Sequence, residues 1–281
     1  MTLIDELFDI EHEAYRKSPV HSTDGRVKLI LCLLGLLVTI ILPYVRIGDQ
    51  IIPWPQVFAL LVIYMLFWCL YLMSGASIRY YLVRLVLIMP FGLFFIILQP
   101  FFGNPYYDLY HVLFSFPLGV NVYWESLIFG CSLFAKFVIS LSFIILLSAT
   151  TTMQGMIEAA SRLHIPKLFI TVMSLTVRYI FVFALIFQKI QSAFACKCFT
   201  WSDRHLPLAY RLRVIGNAAG SLFIRAIDQG ERTYVSMCCR GYAADSAMHF
   251  SKKPLVFAEW IFLLFGVGYL LLFPTLVYMI F

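Results

Sequence analysis

The sequence predicts an all-α polytopic membrane protein: about five transmembrane helices, with a cytoplasmic module of two long amphipathic helices inserted before the last span. Three observations lead to this class. Hydrophobic residues make up 62% of the 281, charged residues only 13%, and the mean hydropathy is +0.87. A soluble domain carries about 25% charged residues, so this chain cannot cover a soluble surface. Apolar runs of the roughly 20 residues that a bilayer helix needs recur along the chain. One stretch, residues 150–253, changes to an amphipathic texture. The same composition excludes a disordered chain, and seven Cys among 281 residues do not make a dense disulfide scaffold. In a membrane protein the net charge of +6 reports orientation, and no nucleic-acid partner is expected.

In chain order, residues 1–26 form a cytoplasmic N-terminal segment. Its first nine residues carry no positive n-region and no small-residue cleavage site follows a short apolar run, so no removed signal peptide is expected. Residues 27–149 hold four spans, at 27–45, 56–75, 85–102 and 124–149, and the closing segment 254–281 holds the fifth, at 256–281. Pro90 and Pro100 fall in the third, which a bilayer helix tolerates when neighbours satisfy the freed carbonyls. A cytoplasmic N-terminus with four spans before residue 150 puts 19 of the 21 Lys and Arg inside, leaving Arg46 outside and Lys136 within the fourth span. A further apolar stretch, 168–187, reads as lying on or beside the membrane. A span there would expose the basic residues from Lys189 to Lys253 to the outside.

Within 150–253, a short helix at 154–164 ends at Ile165-Pro166, because a residue before proline is pushed out of the helical region. A long helix follows over 167–199, then a loop at 200–207, then a second helix over 210–240. Ile215, Ala219, Leu222, Ala226, Thr233 and Met237 fall near a 3.6-residue period in that second helix. Gly241 suits the position just past its end. Each long helix closes on a basic residue, in Cys196-Lys197-Cys198 and Cys239-Arg240-Gly241. Gly216 and Gly220 form a small-xxx-small pattern, which predicts a close helix crossing.

Catalytic chemistry is not apparent. No Gly is followed by Lys, so the chain lacks the phosphate-cradling Gly-x-x-x-x-Gly-Lys loop and no ATP hydrolysis of its own is expected. The six His show no metal-ligand spacing. Cys196, Cys198, Cys238 and Cys239 would suit Zn²⁺ if the two helix ends adjoined, but they lack the Cys-x₂₋₄-Cys spacing of a zinc knuckle. They read as reduced thiols, and no metal or cofactor is expected. Lys136 lies mid-span, where a buried pairing or a polar cavity must hold it, with a substrate path as the alternative. Glu259, near a span end, is expected to snorkel to the interface. A polytopic membrane enzyme would need clustered Asp, His or Ser-Lys groups inside spans, and a stand-alone secondary transporter should show an internal repeat. Neither is visible.

Three motifs carry a family resemblance. Ser18-Pro-Val-His-Ser-Thr-Asp-Gly-Arg-Val-Lys28 resembles the Ser-Pro-x-His-x-x-Asp-Pro-Arg-x-Lys lead-in to the first span of energy-coupling factor (ECF) transporter T components, the CbiQ family, with Gly25 in place of the usual Pro. Arg162-Leu-His-Ile-Pro166 and Arg178-Tyr-Ile180 resemble the opening of that family's first coupling helix. Glu231-Arg-Thr-Tyr-Val-Ser-Met-Cys-Cys-Arg-Gly-Tyr242 is similar to the end of its second. The resemblance implies a non-enzymatic transmembrane coupling subunit of an ABC-type importer, multi-pass in a bacterial or archaeal cell membrane. It implies two cytoplasmic ATPase subunits docking at the X-Arg-X helix ends, here Cys196, Lys197, Cys198, Cys239, Arg240 and Gly241. It also implies a membrane S component that binds a vitamin or transition-metal ion, with ATP bound by the partner subunits. Lys197 stands where the family has Arg, which keeps the charge but loses the planar fork that pairs carboxylates bidentately.

Overall fold

A computed structural model describes residues 18–42, 45–47, 50–52, 54–99, 112–115, 121–163, 165–197, 199, 207–243 and 256–280. The elements are α1 (Pro19–Ser22), α2 (Gly25–Ile41), β1 (Val45–Ile47), β2 (Gln50–Ile52), α3 (Trp54–Ser74), α4 (Ile78–Leu98), β3 (Val112–Ser115), β4 (Asn121–Tyr123), α5 (Trp124–Thr150), α6 (Met153–Arg162), α7 (Lys167–Cys196), α8 (Leu208–Cys239) and α9 (Phe257–Ile280). The chain divides into two compact units, Met1–Ala159 with Lys253–Phe281, and Ala160–Lys252.

The first unit is a helical bundle organised around α5, which packs against α2, α3 and α4, while α9 packs against α2 and α3. Its core is apolar and aromatic: Val27, Ala59, Ile63 and Phe67 are fully buried, and Phe67 meets the rings of Tyr71, Tyr81 and Phe143 at 5.4–6.0 Å. Aromatic pairs at these separations add stabilisation beyond area burial. The opposite faces remain apolar and exposed, with Leu87 at 78% and Phe91 at 67% on α4, which suits hydrocarbon surroundings. Glycines set the closest approaches. An added Cβ at Gly92 would lie 2.6 Å from Phe137 of α5, and one at Gly266 would lie 2.5 Å from Leu31 of α2. Small residues let bilayer helices approach in this way.

Five helices among the described residues are long and apolar enough to cross a membrane: Trp54–Ser74, Ile78–Leu98, Ser126–Thr150, Lys167–Cys196 and Phe257–Val277. By length and composition this set admits Lys167–Cys196, for which the charge bias predicts a place on or beside the membrane. It omits α2, whose 17 residues span about 25 Å. Helix α2 starts on Asp24, whose side chain accepts the Arg26 N–H, and ends at Leu42, before Pro43. The third span begins at Ile78 rather than at 85. The Arg84 guanidinium is held inside that helix, 2.8 Å from Ser148 Oγ and 4.1 Å over the Tyr80 ring. Gly75, with φ +65°, closes α3 and lets α4 start so soon after it. Two short antiparallel hairpins, β1–β2 and β3–β4, lie between the spans, and β1 begins at Val45, where the sequence predicts the last residue of the first span.

The second unit is a pair of long helices, α7 and α8, running antiparallel. The Tyr179 and Thr233 hydroxyls hydrogen-bond across it, Thr171 and Tyr242 line one groove, and at the other end the Phe199 ring meets Tyr210.

Candidate functional site

The two long helices stop in the same way. In α8, Arg240 is the C-cap, and Gly241 follows with φ +78°. The Gly241 N–H donates to the Cys238 carbonyl at 2.9 Å and the Tyr242 N–H to the Met237 carbonyl at 3.0 Å. This is the Schellman pattern, which needs a left-handed residue just past the helix and which glycine adopts without strain. In α7, Lys197 is the C-cap and the Phe199 N–H donates to the Phe194 carbonyl at 3.0 Å, the counterpart of the Tyr242 bond. Phe199 packs edge-on against Phe194 at 5.6 Å, the hydrophobic contact that accompanies such a stop. Lys197 and Arg240 therefore occupy equivalent positions, each a cation at the negative end of a helix dipole. Both are exposed, as are Cys196, Cys239 and Gly241, while Cys198 lies outside the described residues.

Because the helices are antiparallel, these two stops lie at opposite ends of the pair. Thr171 shares a groove with Arg240, and the helix from Thr171 to Lys197 spans about 40 Å. The thiols of Cys196 and of Cys238 and Cys239 are held apart in the same way and do not converge as a ligand set. The close crossing expected at Gly216 and Gly220 is absent within the described residues, since an added Cβ at either would meet no atom within 4 Å. The two helices make their hydroxyl contact instead at Tyr179 and Thr233.

Several residues named from sequence serve the bundle. Lys136 is 9% exposed and its Nζ donates to the Leu42 carbonyl at 2.8 Å, capping the C-terminus of α2. Glu259 has a role inside the bundle: Oε1 accepts the Asp24 N–H at 2.8 Å and Oε2 the Val256 N–H at 2.9 Å, which ties the starts of α2 and α9 together. The N-terminal motif is a clasp on the end of α5. His21 Nε2–H donates to the Ala149 carbonyl at 3.2 Å, which leaves Nδ1 to accept from the Ser18 hydroxyl at 2.7 Å. Lys28 Nζ donates to the Thr150 carbonyl at 2.9 Å and the His21 carbonyl at 3.1 Å. The last carbonyls of a helix lack intrahelical partners, and this motif supplies them. Nothing in the sequence reveals that role, because the acceptors are backbone atoms far along the chain.

The family of CbiQ, described as cobalt transport protein, matches residues 16–250. Two uncharacterized proteins of Methanocaldococcus jannaschii are similar. MJ1571 is 26% identical over 197 residues, which cover 69% of this chain and 65% of that protein. MJ1089 is 29% identical over 127 residues, covering 45% of this chain and 46% of that protein. The chain thus spans just under two thirds of the first relative's length and under half of the second's. The family match takes in the clasp motif and both basic helix stops, and by it the chain belongs to the CbiQ cobalt transport protein family, that of ECF transporter T components.

Proposed function

We propose that this chain is the coupling subunit of an ECF-type ABC importer, passing ATP-driven motion of two cytoplasmic ATPase subunits to a membrane S component that binds a vitamin or transition-metal ion. The observation that carries the reading is the pair of matching helix stops, Lys197 and Arg240, set at opposite ends of one antiparallel helix pair. Two exposed cations about 40 Å apart suit two separate partner subunits better than one. In this reading each cation reaches a carboxylate on its ATPase, and closure of the ATPase dimer on ATP drives the two ends of the pair and tilts the S component. Arg240 is the stronger anchor, because a guanidinium pairs a carboxylate through two parallel bonds and an ammonium through one. The reading places residues 150–253 in the cytoplasm, with the N-terminus on the same side. The test is the amount of ATPase that co-purifies with this chain: two nucleotide-binding subunits per copy are expected, and none for a membrane enzyme or a secondary transporter.

A further inference from the structure

At the Arg240 end of the α7–α8 pair lies a groove of about 420 Å³. Its lining includes three arginines, Arg178, Arg232 and Arg240, together with the hydroxyls of Tyr179, Thr233 and Ser236, and among the described residues no Asp or Glu lines it. The hydroxyl protons are spent inside the protein, Thr233 on the Gln229 carbonyl, Ser236 on the Thr233 carbonyl and Tyr179 on Thr233, so the guanidiniums are the donors this groove offers. They are complementary to an anion with several acceptor oxygens, and planar guanidiniums match phosphate oxygens in pairs. The volume exceeds that of a single phosphate group. The rim continues as an apolar surface: Leu168, 68% exposed, lies one turn before Thr171 on α7, and Val172, 53% exposed, lies one turn before Leu175. A cationic floor beside an apolar rim fits a ligand that is itself amphiphilic. Basic segments at a membrane surface attract anionic lipid headgroups.

We propose that this groove binds the phosphate headgroup of an anionic phospholipid, with its acyl chains along Leu168 and Val172. The site goes beyond the coupling role and does not require it. The test is native mass spectrometry of the full chain in detergent, titrated with phosphatidylglycerol and, separately, with phosphatidylcholine. Wild-type protein should bind phosphatidylglycerol selectively. The Arg178→Gln, Arg232→Gln double variant should lose about tenfold or more in affinity for it, and the Arg178→Lys, Arg232→Lys variant, which keeps the charge and loses the planar fork, should lose less and stay selective. Equal binding of the two lipids by wild type, or unchanged phosphatidylglycerol binding in the Gln variant, would overturn the proposal. If the Gln variant does not fold, wild-type selectivity and the Lys variant decide: a Lys variant without selectivity counts against the site. Excess inorganic phosphate should fail to displace the lipid, and full displacement would make this a free-phosphate site. Arg240 is untouched in these variants, and ATPase retention is read on the same preparations. Loss of ATPase with lipid binding intact would make the groove a protein interface and sink the lipid proposal, whereas lipid binding that persists when Lys197→Glu, at the other end of the helix pair, has released its ATPase leaves it standing.

Discussion

A lysine in the middle of a bilayer helix is tolerable where its ammonium finds fixed acceptors, and Lys136 finds them on the carbonyls that end α2. The pairing is structural, so Lys136→Met should leave the Leu42 carbonyl without its donor and cost about 1–3 kcal/mol. That is measurable as a lower Tm in detergent, with uptake per folded molecule unchanged. Unchanged Tm with lost uptake would instead put Lys136 on a substrate path. Glu259→Ala should be comparably destabilising, since two N–H groups lose one shared acceptor, and Glu259→Gln should recover part of the loss. The charge of Lys136 marked it in the sequence, but its partner was illegible: a backbone carbonyl can belong to any residue, and Leu42 bears no sign of it. Gly241 is the opposite case. Its role depends only on local chain geometry, so a glycine at the end of a helical period announced the stop that the structure contains.

Among the elements, the glycines separate what a local pattern can and cannot say. Gly216 and Gly220 carry the familiar spacing yet face open space, while Gly92 and Gly266, with no such spacing, hold the tight contacts. A small-residue pattern shows that a helix face is thin, and whether a second helix lies against it depends on the rest of the fold. Leu31 and Gly266 come from the two ends of the chain, so nothing near either residue reveals the contact. Gly266→Leu should therefore overpack the α2–α9 contact by about 1–3 kcal/mol, lowering folded yield and Tm, whereas Gly220→Leu should accumulate and melt as wild type does. The reverse order would show that the bundle packs differently. The long helices were legible because their apolar runs exceed any local ambiguity. The two hairpins were not, since strands of three or four residues leave too few positions for a period.

At the scale of the whole molecule, the proposed orientation rests on charge and the proposed coupling on the twin helix stops. With the 13 Lys and Arg from Arg162 to Lys253 on one side of the proposed topology, single cysteines placed at the exposed positions Ser192 and Arg225 in a Cys-free background should resist an impermeant thiol reagent added outside intact cells and react once the cells are opened. Labelling from outside would mean that Lys167–Cys196 crosses the membrane. In the proposed coupling role, Lys197 and Arg240 each face a carboxylate on an ATPase subunit. Breaking one side of a desolvated charge pair costs about 2–5 kcal/mol, because the partner charge stays buried and unpaired. A solvated helix end changed in the same way moves stability by no more than about 0.5 kcal/mol. Arg240→Ala should thus release more ATPase than Lys197→Ala, and Lys197→Arg should be tolerated. The most direct measurement is the quantity of ATPase retained per copy of the Lys197→Glu, Arg240→Glu double variant at wild-type membrane level: the coupling account predicts that it falls to background, and full retention would contradict it.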